Sequence, residues 1–117
     1  LMTKIEIAKT QPKASKLFAL EIIQGAPHLL PILKGHIKKL FKRKAKVILN
    51  WQEQGKISKD IDAELLIINI WGITQNYADF STQIESMTGQ TLRNRSMHKR
   101  AIEHTIHLML YGLLPRS

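Results

Sequence analysis

The chain contains no cysteine. That excludes disulfides and thiolate metal sites, and it fits a reducing, cytoplasmic setting. No apolar run approaches the roughly 20 residues that a bilayer-spanning helix needs, so no membrane partner is expected. The N-terminus has no charged segment leading into an apolar core and does not read as a signal peptide. Carboxylates are scarce: 9 Asp and Glu stand against 18 Lys and Arg, and the acids lie mostly at helix starts. A Gly-rich phosphate loop and a Gly-x-Ser-x-Gly elbow are both missing, so no catalytic constellation can be assembled and no cofactor is implied. His104 and His107 are near His98 and Glu103. No repeated Glu-x-x-His and no His-Glu-x-x-His completes a metal set, and surface histidines are the better reading. Strand-like alternation, internal repeats and low-complexity tracts are also lacking.

What remains is a basic helical chain of 117 residues with a net charge of +9. That length suffices for one domain with one core. Positive charge ordinarily signals affinity for nucleic acid or an anionic surface. Here it is concentrated: Lys34, Lys38, Lys39, Lys42, Arg43 and Lys46 crowd one helix, and Arg93, Arg95, Lys99 and Arg100 begin another.

The periodicity divides the chain into helices. Residues 1–10 read as the tail of a helix with no Ser, Asp or Asn cap before Leu1, which points to a chain cut within a helix. A native start with a frayed end is the other reading. Gln11-Pro12 breaks that helix, and Pro12 suits the first turn of the next. The second runs over Lys13–Gln24 and stops at the turn Gly25-Ala26-Pro27. The third, from about Leu29 or Pro31 to Gln54, carries the stripe Leu33, Ile37, Leu40, Phe41, Val47, Ile48 and Trp51. Lys44 sits in the one gap of that stripe. Gly55 is placed as its C-cap, and an acidic first turn at Asp60, Asp62 and Glu64 opens the central helix. The last helix runs from about Leu92 or Asn94 to Leu114. Its main stripe is Ile102, Ile106, Met109 and Leu113. Ala101, Thr105, Leu108 and Gly112 form a flatter edge that another helix could approach closely.

The central helix is the most informative. Residues 62–84 read as one continuous helix ending near Thr88-Gly89, apolar on two sides. At about 100° per residue, Leu66, Ile70, Ile73, Tyr77, Phe80 and Ile84 gather on one side, and Ile67, Trp71, Gln75, Ala78 and Thr82 on another. A helix with two such sides must meet two partners. The whole reads as all-α, about five antiparallel helices joined by short connections. The economical way to cover the spare apolar surfaces is a two-fold homodimer in which each subunit contributes two C-terminal helices to a four-helix bundle.

Two segments carry a family resemblance: Leu17-Phe18-Ala19-Leu20-Glu21-Ile22-Ile23-Gln24-Gly25-Ala26-Pro27-His28-Leu29 and Trp71-Gly72-Ile73-Thr74-Gln75-Asn76-Tyr77-Ala78-Asp79-Phe80. Weaker echoes are Ile84-Glu85-Ser86-Met87-Thr88-Gly89 and Leu113-Leu114-Pro115. On these the chain resembles the C-terminal regulatory domain of TetR-family transcriptional repressors, within the pyrimidine-utilisation branch. The resemblance implies an N-terminal helix-turn-helix domain in the intact protein, through which alone operator DNA would be bound. It also implies a small-molecule effector that shifts the dimer between two arrangements, and so shifts operator affinity.

Trp71 and Gln75 stand one turn apart. An indole face and a primary amide suit a flat heterocycle with alternating carbonyl and N–H groups, such as a pyrimidine. A core Trp with a Gln bonded to backbone is the plainer alternative. Thr74 is one position off that face and a weaker candidate. Lys44 either snorkels to water over an apolar stripe or points into the pocket, with Glu21 or Asp79 as partner. Phe18 and Trp51 are either core or pocket floor. Tyr77, Phe80, Ile84, Ile102, Ile106, Met109 and Leu113 are assigned to the dimer interface. Two rival readings stand beside the regulator: a basic helical module that binds nucleic acid directly, and a purely structural dimerisation domain. Against the first, Phe41 and Trp51 fall on the apolar side, away from the lysines, so no aromatics interleave with the charge.

Overall fold

The computed structural model describes residues 2–115. The expectation of a chain cut within a helix at Leu1 lies outside the described residues. All regular structure among them is helical, in the order α1 (Met2–Thr10), α2 (Pro12–Ile23), α3 (Leu30–Ile32), a π-helical turn (Leu33–Ile37), α4 (Lys38–Glu53), α5 (Ala63–Asp79), α6 (Ser81–Thr88) and α7 (Arg95–Leu113). The all-α expectation holds.

Local chemistry sets most boundaries. Pro12 opens α2, where its missing N–H is no loss. The Asp62 carboxylate accepts the Leu65 N–H at 2.9 Å and caps α5. The Asn94 side-chain carbonyl accepts the Met97 N–H at 3.0 Å and caps α7. Gly89 ends α6 at φ 75°, a left-handed conformation that glycine adopts without a Cβ clash.

Two expected continuous helices are interrupted. The third is α-helical only in its first turn and from Lys38 on, with the π turn between. The central helix breaks at Phe80, whose φ of −116° and ψ of 29° are not helical. The sequence there is rich in side chains that compete for backbone partners: the Asn76 amide donates to the carbonyls of Gly72 and Ile73, and Asp79, Ser81 and Thr82 follow. The break takes Phe80 and Ile84 off the line of Tyr77. Phe80 is left 54% exposed.

α5 is the central element, packed along α1, α2 and α4. Two small cores flank it. One joins Ile5 and Ala8 of α1 to Ala78, Leu92 and Ala101, with Tyr77 and Ile102 against them. The other joins Ala45 and Ile48 of α4 to Ala63 and Leu66, and takes in Ile57, Ile61, Met109 and Leu113. The second core is closed by Gln52, buried and donating to the carbonyls of Ser58 (3.0 Å) and Ile61 (2.6 Å). The Ser58 N–H in turn donates to the Leu113 carbonyl at 2.8 Å, tying the α4–α5 loop to the end of α7.

The described residues form a slab of 42 × 38 × 19 Å. Helices with side chains are about 10–12 Å across, so the slab is no more than two layers deep. It leaves large apolar side chains in the open, among them Leu17, Ile23, Leu110, Tyr111 and Leu114.

The candidate effector pocket

A cavity of about 220 Å³ lies where α1, α2 and α5 meet. From α1 it is lined by Lys4, Ile7 and Ala8, and from the turn by Gln11. From α2 come Ala14, Ser15 and Phe18, and from α5 Gln75. An apolar cavity of about 150 Å³ holds a benzene-sized ring, so the space here suits a substituted six-membered ring. The Ser15 hydroxyl donates to the Asp79 carboxylate, which pins α2 to α5 at the rim.

The structure brings Phe18 and Gln75 together in this cavity, across 57 residues of sequence (75 − 18). Trp71 lies one turn before Gln75, half-buried, and does not line the cavity itself. Its indole instead carries the Lys4 ammonium, 5.9 Å from the ring centroid. Thr74 is fully buried, and its hydroxyl donates to the carbonyls of Ile70 (2.7 Å) and Trp71 (3.2 Å). That hydroxyl is committed to the helix backbone.

Lys44 is exposed and does not line the cavity. The gap it occupies in the sequence stripe is filled by its neighbour Ala45, because Phe41, Ala45, Ile48 and Gln52 define the inward line of α4. The partners considered for Lys44 are engaged elsewhere: the Glu21 carboxylate accepts the His28 N–H at 3.3 Å, and Asp79 accepts from Ser15. Trp51 is 43% exposed and also lies outside the cavity; Gln52 takes the buried place beside it.

Among the described residues, Lys4 is the one charged side chain in the cavity wall, and sequence reasoning missed it. Its pKa is pushed below the usual lysine value, first by burial and then by the like charge of Lys44. Nothing local marked it. A lysine between Thr3 and Ile5 is ordinary on a helix, and the cavity exists only because α1 packs on α5.

Of the residues assigned to a partner subunit, Tyr77 and Ile102 pack on the first core, and Met109 and Leu113 on the second. Ile84 and Ile106 are half-buried. Each therefore spends at least part of its surface within this chain. The flatter edge of α7 divides: Ala101 and Thr105 are buried, whereas Leu108 is 53% exposed. At Gly112 an added Cβ would meet nothing within 4 Å among the described residues.

No helix among the described residues is long and apolar enough to cross a membrane. The family profile described as "YcdC-like protein, C-terminal region" matches residues 1–116. The chain is similar to the HTH-type transcriptional regulator RutR of Escherichia coli strain K12, 39% identical over 113 residues, which is 97% of this chain and 53% of the relative. The proteins of the same name from Escherichia coli O157:H7 and Shigella flexneri match to the same extent. The chain thus spans about half the length of the curated relatives it matches. These relatives are transcriptional regulators and not enzymes. The chain belongs to the TetR family of transcriptional regulators, as a C-terminal regulatory domain of the YcdC-like kind.

Proposed function

We propose that this chain is one regulatory domain, the effector-sensing and dimerisation part of a cytoplasmic TetR-type repressor. A small planar molecule, with a pyrimidine as the leading candidate, binds between α1, α2 and α5. Binding favours one arrangement of a homodimer over another. In the whole regulator, a helix-turn-helix domain would then meet its operator at a changed spacing. The ligand can shift this equilibrium only by as much as its affinities for the two arrangements differ, and DNA must alter ligand affinity by the same factor.

The observation that carries this reading is the cavity, with the Gln75 amide and the Phe18 ring in its wall. An amide offers both a donor and an acceptor to an imide or lactam edge. α5 supports the signalling role, since the helix that holds Gln75 also contributes Tyr77, Ala78 and Leu66 to the two cores that reach α7. The dimer surface proposed here is the outer side of α7, where Ile106, Leu110 and Leu114 follow at four-residue spacing, flanked by Tyr111. Leu110, Tyr111 and Leu114 are at least half exposed. A four-helix bundle formed by two copies would cover them.

A thermal-shift screen with pyrimidines, purines and small aromatics, repeated on Gln75→Ala, tests the site. A ligand hydrogen-bonded to Gln75 loses about 1–3 kcal/mol of affinity in the variant. Unchanged affinity removes Gln75 from the site.

Direct nucleic-acid binding is the second reading, supported by the exposed Lys38, Lys39, Arg43 and Lys46 on α4. Filter binding against salt separates the two. Tight, steeply salt-dependent binding of arbitrary DNA by this chain favours the second.

A further inference from the structure

Lys4 is a half-buried ammonium that makes no ion pair among the described residues. Two carboxylates of the elements packed around it have other neighbours. Glu6 of α1 meets the His98 imidazole of α7 at 3.1 Å, and Asp79 of α5 accepts from Ser15 of α2. The charge that Lys4 does feel is Lys44 of α4, of like sign. What holds Lys4 in place is the indole face of Trp71, at 5.9 Å from the ring centroid. Such a contact does not neutralise the charge.

An unpaired ammonium in the wall of a cavity, with a second one nearby and a net charge of +9 around it, is an arrangement that an incoming anion would relieve. The depression of the Lys4 pKa by burial and by Lys44 points the same way. Gln75 supplies neutral hydrogen bonding and Phe18 an apolar ring in the same wall. We propose that the effector is a planar heteroaromatic carboxylate, its ring seated against Phe18 and Gln75 and its carboxylate on the Lys4 ammonium. This rests on the effector-site reading above and narrows it from neutral rings to anionic ones.

Isothermal titration of the chain with uracil and with uracil-6-carboxylate tests it. The carboxylate binds at least tenfold more tightly to the native chain. Lys4→Met removes that preference, whereas Lys4→Arg retains it. Raising the salt concentration weakens the carboxylate and not uracil, and this readout stands even where Lys4→Met fails to fold. Equal affinities, or a preference that survives in Lys4→Met or is indifferent to salt, overturn the proposal. If Gln75→Ala still weakens both rings in that case, the effector site itself stands. If neither ring binds, the proposal falls, and the wider heterocycle screen decides the effector site separately.

Discussion

The Lys4 ammonium lies over the indole of Trp71, 5.9 Å from the ring centroid, and joins α1 to α5 at the edge of the cavity. Burial and Lys44 hold its pKa below the usual lysine value of 10.5. The unfolded chain therefore binds more protons than the folded one at alkaline pH, just below 10.5. The contribution of Lys4 to stability accordingly rises with pH through that window. Lys4→Met is expected to gain on the native chain at pH 7, with the difference shrinking as pH approaches 10.5. Urea unfolding of both proteins across this range checks it, and a difference that grows with pH contradicts it.

Gln52 holds the α4–α5 loop by donating to two carbonyls, and it is buried. Gln52→Leu keeps the bulk but leaves the buried Ile61 carbonyl without its donor, and the Ser58 carbonyl with only the Ile61 N–H at 3.3 Å. A loss of about 1–3 kcal/mol per unsatisfied buried group is expected. Denaturant midpoints measure it.

Thr105 is fully buried on α7, and its hydroxyl has no hydrogen-bond partner among the described residues. Thr74, equally buried, has its hydroxyl satisfied by the helix backbone. The two positions should respond oppositely to valine. Thr105→Val removes an unpaired polar group and is expected to raise stability by up to about 1 kcal/mol, whereas Thr74→Val lowers it by a similar amount. Paired thermal melts decide between these signs.

Leu110 is 50% exposed on the outer side of α7. If a second copy covers it, Leu110→Glu buries a charge at the interface and shifts the chain to monomer while helicity is kept. Sedimentation velocity at micromolar concentration, with circular dichroism as the fold control, reads this out. A native chain that is already monomeric there would rule out the dimer.

Helix ends were legible because their causes are local. Pro12, Asp62, Asn94 and Gly89 act on backbone groups within a turn of themselves, and each acts in the structure as its residue type suggests. The family resemblance was legible for a similar reason, since it rides on contiguous stretches such as 17–29 and 71–80. The pocket was legible in part. Gln75, expected beside Trp71, instead shares a cavity with Phe18, which the sequence left open as core or pocket floor, and Trp71 lies one turn away.

The sequence by itself therefore determined the helical class, the caps and the apolar pattern, all of which depend on residues within a few positions of one another. Only the tertiary structure decided which of two adjacent residues turns inward. On α4, an apolar stripe at helical spacing defines a face no more sharply than about the 100° between successive residues. The loop carbonyls of Ser58 and Ile61, which accept from its amide, select Gln52 over Trp51 for the buried place, and close packing selects Ala45 over Lys44. Lys4 became part of the cavity by the same kind of choice. Its surroundings are made by α5, far along the chain, and no pattern within α1 could announce them.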